Sequence, residues 1–211
     1  MARQAAPQKE KRIRRTPEDA KALILSAAEA CMMAAGPAGL RLQDVAQKAG
    51  VSHPTILHHF GSREGLVQAL NRNTLEQLKT GLVSNMRSAD PNDDGIAQTF
   101  AVYRNGLAQR MIWLLQTPGT APVSGAPMAE EIANALHAVR LRFAPPGAVI
   151  DIEDSRAVVQ LIAIAAFGDA IMGPRTRHAM GYRTDEQEQA ERERFETWFR
   201  KLIMTHLTGK A

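Results

Sequence analysis

The stretch LQDVAQKAGVSHPTILHHF, Leu42 to Phe60, decides how the rest of this chain is read. Its first eight residues put Leu42, Val45, Ala46 and Ala49 on one face at the three- and four-residue spacings of a helix. Gly50 follows, the residue best able to take the left-handed turn that stops a helix. Ser52 then offers a hydroxyl to cap a second helix, and Pro54 fits its first turn, where a missing N–H costs little. Ile56 and Leu57 come next, and this second helix, His53 to Phe60, ends before Gly61. Two short helices joined by a tight glycine-containing turn have the dimensions of a helix-turn-helix. Ala46 is small where the helices would cross, Val51 and Ile56 point back toward a core, and Ser52 exposes the second helix's N-terminus.

Three of the six histidines, His53, His58 and His59, lie in this second helix. At about 100° per residue, His53 and His58 are roughly 140° apart and His58 and His59 about 100° apart, so they share no face. A helical metal pair needs i, i+4 spacing, and no Cys, Asp or Glu lies between Val51 and Phe60 to complete a site. No metal and no cofactor is expected. A nucleophilic site is equally unsupported, because no G-x-S-x-G or comparable frame surrounds any serine. What remains for the imidazoles and the Thr55 hydroxyl is hydrogen bonding to phosphates and bases from an exposed helix end. For His58, packing or capping of its own helix stands as an equal alternative.

Outward from the motif, residues 1–16 form a basic arm carrying Arg3, Lys9, Lys11, Arg12, Arg14 and Arg15 with almost nothing apolar to pack. Its alternatives are a solvated tail and an arm that reaches a minor groove. Thr16-Pro17-Glu18-Asp19 then caps and opens a first helix, with Leu23, Ala27, Ala30 and Cys31 on its stripe, ended at Gly36 and Pro37. Ser62 caps a long helix from Arg63 to about Met86. After a loop, Ile96 to Gln116 reads as one helix with a single stripe of Ile96, Phe100, Tyr103, Leu107, Met111 and Leu114. Thr117 to Pro127, rich in proline and glycine, is a loop, and helices fill Met128 to Phe143, Ser155 to Gly173 and Thr184 to Leu207. No period-two alternation and no internal repeat is present, so the chain is all-α.

Composition agrees with a globular, intracellular protein: 45% of its 211 residues are apolar, and the single Cys31 forbids an internal disulfide. No uninterrupted apolar run approaches the roughly 20 residues of a membrane span, which points to a cytoplasmic location without membrane contact. Residues 1–72 hold 11 Lys/Arg against 6 Asp/Glu, and residues 73–211 hold 15 against 16, so the positive charge belongs to the front (11 − 6 = +5; 15 − 16 = −1). A basic front directs attention to a polyanion, nucleic acid first.

The segment LQDVAQKAGVSHPTILHHFGSREGLVQAL resembles the N-terminal domain of TetR-family transcriptional regulators over about residues 17–78. The resemblance is carried by the apolar first helix, the VA..AGVS helix and turn, PT opening the reading helix, HF ending it, and S(R/K)E.L starting the fourth helix. It implies an N-terminal helix-turn-helix DNA-binding domain (17–78) followed by a helical ligand-binding and dimerisation domain (79–211). Carried over residue by residue, it makes Gln43, Ser52, His53, Thr55, His58 and His59 candidates for contact with double-stranded DNA, and Arg63 a phosphate partner. Two positions depart from the family pattern. Leu57 replaces a tyrosine that reaches the DNA backbone, and Arg41 replaces the usual Ser or Thr cap, giving a poorer cap but a further phosphate partner.

In the second half, Ser155 to Gly173 is apolar nearly all round, and Thr184 to Leu207 presents a bulky stripe. The pair resembles the two-helix share of the family's four-helix dimer interface, here Ile162, Ala166, Phe195, Trp198, Phe199 and Leu202. The resemblance also implies a pocket for a small apolar or aromatic effector, for which Phe100, Tyr103, Met111, Trp113, Phe143 and Asp169 are the candidates, with core packing the alternative for each. Asp169 either pairs with Arg175 or Arg177 or faces that pocket. The expected protein is a ligand-responsive regulator, a repressor with an activator as alternative, that reads an inverted repeat as a homodimer. A helical enzyme using His and Asp169, or an adaptor binding through its basic arm, are the rival classes; no paired acid and base supports the first.

Overall fold

The computed structural model describes residues 16–88, 94–117 and 126–208; the basic arm and most of the two expected loops lie outside them. Among the described residues the regular structure is entirely helical: α1 (Pro17–Gly39), α2 (Leu42–Ala49), α3 (His53–Phe60), α4 (Arg63–Ser88), α5 (Gly95–Val102), a π-helical turn (Tyr103–Leu107), α6 (Ala108–Gln116), α7 (Ala126–Phe143), α8 (Ile152–Ala179) and α9 (Asp185–Thr208). Local chemistry explains the starts. Thr16 accepts from the Asp19 N–H at 3.1 Å while the Asp19 carboxylate accepts from the Thr16 N–H at 3.3 Å, a reciprocal cap. Ser62 accepts from the Gly65 N–H at 3.0 Å, and Asp94 from the Ala97 N–H at 2.9 Å.

α1 to α4 close around one core in which Ile24, Val45, Ile56, Leu66 and Val67 are fully buried. Of the stripe expected on α1, Ala27 is buried and Cys31 packs partly against this core, but Leu23 does not take part. Leu23 is exposed, and Ile24, Leu25, Ala28 and Met32 face inward, because α2 and α4 both pack on that side. A second core lies between α4, α5, α7, α8 and α9, with Phe100 and Leu107 at its centre and Phe195 and Phe199 against Phe100 at ring distances of 6.1 and 5.5 Å. α4 belongs to both: Leu66, Val67 and Leu70 serve the first core, Leu75 the second. It runs without interruption through the boundary expected at residue 78.

Three expectations are corrected. The single helix from Ile96 to Gln116 is broken at Asn105 and Gly106, where Gly106 takes φ +102°, a conformation open to glycine and strained for other residues. α8 extends past Gly173 through Pro174 to Ala179, six residues beyond the expected end. The cause is a buried ion pair, Arg177 Nη1 to Asp169 Oδ1 at 2.5 Å, which ties the last turns to the helix body. Gly173 sits under that pair, where a Cβ would fall 2.5 Å from the Asp169 oxygen. Finally, α1 and α8 are long and apolar enough to cross a membrane by length and composition, although neither is one uninterrupted apolar run. α1 spends its apolar side on the first core, and α8 packs on α7 and α5.

The break at Gly106 lets α6 approach α1 and α4. From it Arg110, 3% exposed, donates through Nε to Asn71 Oδ1 at 2.6 Å and through Nη2 to Thr74 at 3.1 Å. Burial pulls the guanidinium down from its ordinary pKa, opposed by the charge of Glu29. Replacing Arg110 by Ala strands Asn71 and opens a void between the halves. Arg110→Ala is expected to lower unfolding free energy by about 3 kcal/mol in urea titration, the cost of an unsatisfied buried amide together with the void left by the long side chain, with Arg110→Met less damaging because its stem still fills the space.

Candidate nucleic-acid interface and ligand cavity

The turn between α2 and α3 forms as its residues demand. Gly50 adopts φ 63° and ψ 39°, its N–H returning to Ala46 and Gln47, and the Val51 N–H bonds to the Ala46 carbonyl at 3.0 Å. Ser52 accepts from the Thr55 N–H at 3.3 Å, and the two hydroxyls lie 2.7 Å apart. Ile56 is the buried residue of α3, with Val51 and Phe60 partly buried beside it. Everything else on α3 is left toward solvent. His53, Pro54, Leu57 and His58 are exposed, and Thr55 and His59 half-exposed. The α3 N-terminus carries no acidic residue in its first turn, so nothing on the helix itself opposes an anion there.

The other candidates divide. Arg41 makes no side-chain cap for α2 and, like Gln43, is exposed. His58 and His59 stack edge to face at 5.5 Å, and His59 lies 6.1 Å from Phe60, so His59 is partly a packing residue while His58 is the freer ring. Arg63, expected as a phosphate partner, has contacts within the chain. It donates to the Ala38 carbonyl at 3.4 Å and to Glu64 at 3.2 Å, and its guanidinium lies 4.9 Å over the Trp113 ring of α6. Neither the three histidines nor any other Cys, Asp or Glu form a metal-holding group of three among the described residues.

Behind this surface a cavity of about 250 Å³ opens between α4, α5, α7, α8 and α9. Leu78, Leu82 and Met86 of α4 form one wall; Met128, Ile132 and Leu136 of α7 and Val158, Val159 and Ile162 of α8 form others. Asp94 and Arg200 are paired among its lining residues. Of the six residues expected to line a pocket, only Tyr103 lines this one, and burial raises its phenol pKa. Phe100 is fully buried behind it, Met111 packs on the second core, and Trp113 packs on the first. Phe143 is 66% exposed at the end of α7, under the Arg142 guanidinium. Asp169 has the partner foreseen as Arg177, with Arg104 at 3.5 Å, and borders a separate hollow between α8 and α9. Burial opposes the charge on Arg177, but Asp169 and Glu188 outweigh it and hold its pKa above the ordinary value.

The α8 and α9 residues expected at a dimer contact also divide. Ala166 and Phe199 are buried inside the chain, and Ile162 lines the cavity. Phe195 is half-buried beside Trp198. Trp198 and Leu202 stand out on α9, as do Leu161, Ile164 and Met172 on α8.

Residues 24–70, which span α1 to the middle of α4, match the family model for bacterial regulatory proteins, tetR family. Over these residues the chain is similar to TetR-family regulators. Within the matched segment α3 stands in the position of the reading helix of a helix-turn-helix. The HTH-type transcriptional repressor Rv3405c of Mycobacterium tuberculosis (strain ATCC 25618 / H37Rv) is 29% identical to the present protein over 170 residues, 78% of this chain and 79% of that protein. The HTH-type transcriptional regulatory protein RaaS of the same organism is 38% identical over 53 residues, and that match spans 25% of each chain. The fold is similar to that of GusR of Salmonella enterica, with a TM-score of 0.58 and 18% identity over 92% of this chain and 97% of that one.

Sequence reasoning missed most of the cavity wall. Its aliphatic residues recur at ordinary core spacings, and Asp94 and Arg200 are 106 residues apart, so no local pattern announces them.

Proposed function

We propose that this protein is a ligand-released repressor of the TetR family: a homodimer places one α3 in each half of an inverted-repeat operator, and a small apolar molecule in the cavity weakens that binding. The observation that carries the reading is the double service of α4. The helix that closes the first core through Leu66, Val67 and Leu70 also sends Leu78, Leu82 and Met86 into the cavity wall. A guest that pushes on the far half of α4 therefore shifts the seat of α3. To release an operator, the guest must favour the shifted arrangement; moving a population from 1:99 to 99:1 takes about 5.5 kcal/mol of differential binding.

On DNA, His53 and Thr55 at the start of α3 meet base edges, while Arg41, Gln43, Ser52 and His58 meet backbone and flanking groups. His59 contributes at the margin of the contact, and Arg63 steadies the start of α4 against α6 instead of meeting phosphate. The dimer forms through the exposed apolar residues Leu161, Ile164 and Met172 of α8 and Trp198 and Leu202 of α9, large side chains that a partner chain would cover. A repressor of this kind works in the cytoplasm, on DNA, without catalysis.

Selection from random-sequence duplexes at fixed salt is expected to enrich an inverted repeat. Salt-sensitive retention with no enriched sequence would overturn the reading of α3. On the enriched duplex, His53→Ala and Thr55→Ala are each expected to weaken binding by about 1–3 kcal/mol. A charge placed among the exposed apolar residues of α8 and α9, Ile164→Glu or Trp198→Glu, is expected to give monomers in sedimentation and to lose the two-half-site complex; dimers that survive both changes would move the interface elsewhere.

A further inference from the structure

Resting on the reading of the α4–α9 cavity as the effector site, we infer that the effector is an uncharged aliphatic molecule bearing an oxygen acceptor, received by the side chains of Tyr103 and Arg200. The wall dictates the body of the guest. Apart from Tyr103, Asp94, Thr99 and Arg200, the residues that line the cavity have no polar side chains. The space, about 250 Å³, exceeds the roughly 150 Å³ in which a single benzene ring is held. Leu, Ile, Val and Met at this density suit a flexible aliphatic chain, and the methionines adapt to its shape.

The polar atoms dictate the rest. Both carboxylate oxygens in the wall are already engaged, and the one hydroxyl proton of Thr99 is spent on the backbone. Asp94 Oδ1 takes the Ala97 N–H, Asp94 Oδ2 takes Arg200, and the Thr99 hydroxyl is held by donation to the Gly95 carbonyl at 2.7 Å. Donors are what remain. Arg200 Nε is shut off from solvent with no acceptor, which makes it the stranded donor of the wall; the Tyr103 hydroxyl, for which no hydrogen bond is found among the described residues, is a second donor beside the cavity. A buried donor without an acceptor is costly, and a guest oxygen brought to it by a small rotation of the guanidinium or phenol relieves that cost. Charge is excluded by the same inventory. Asp94 and Arg200 neutralise each other, so an ionised guest would lose its water and gain no net counter-charge. A guest amine finds both Asp94 oxygens engaged; a guest carboxylate meets Arg200 only beside Asp94.

The test is displacement of Nile red from the full-length protein by four guests of equal chain length: 2-octanone, octane, octanoate and octylammonium. The ketone is expected to displace the dye at about tenfold lower concentration than the other three, the fold-change a satisfied buried donor confers. The double variant Tyr103→Phe/Arg200→Met, confirmed as folded by its helical circular dichroism and by Nile red binding, is expected to treat ketone and octane alike; the single variants apportion the effect. Equal potency of octane and ketone on the native protein, stronger displacement by either ion, or a ketone preference that survives the double variant would each overturn the inference. Retention of the selected duplex is measured in parallel. Ketone binding that leaves duplex affinity unchanged upholds the guest class and overturns effector control. Absence of any displacement with duplex binding intact overturns the guest class and leaves the DNA reader standing.

Discussion

One buried cation holds the two halves of this molecule in register. Arg110 leaves α6 just after the π-helical turn and ends against Asn71 and Thr74, on the side of α4 between the two cores. Its charge is desolvated, and removing a partner from such a group costs more than the contact appears to contribute. α6 and α4 are therefore fixed relative to each other at one point, and whatever displaces one is felt by the other. The Arg63 guanidinium over Trp113 repeats the connection nearer to α3.

That constraint depends on a local irregularity. Had the segment from Ile96 to Gln116 continued as a regular helix, Arg110 would be turned about the axis by the extra residue that the π-turn absorbs. Gly106, at φ +102°, takes up the change, and an ideal Cβ there would lie 3.1 Å from the Arg110 guanidinium. The same turn begins at Tyr103, a cavity residue. Cavity wall, helix irregularity and interdomain cation thus follow one another within eight residues of chain.

A second buried network occupies α8. Asp169 and Arg177 lie two turns apart, with Gly173 between them leaving room for their side chains, and Glu188 and Arg104 complete the charges from α9 and the π-turn. Its effect is to keep α8 helical past Pro174 and to tie the start of α9 to it through Glu188. The exposed Leu161, Ile164 and Met172 stand on this same helix.

Much of the DNA-reading half was legible in the amino acids themselves, because short-range rules govern it. Gly50 needs a left-handed turn, Ser52 and Thr16 need to cap, Pro54 needs a first turn, and these requirements place α2 and α3 at the expected residues. The C-terminal half was legible only as a set of helices. Which face of α1 turns inward, where the helix after Ile96 breaks, and whether Phe143, Trp113 or Tyr103 meets the cavity all depend on neighbours far away in the chain. Asp94 and Arg200 meet from opposite ends of the second domain, and Asp169 finds Arg177 only because a glycine separates them. Local propensity determines where α1 to α3 begin and where α2 and α3 end; the break before α6, the far end of α8, the shape of the space between helices and the donor left without an acceptor inside it are decided by packing.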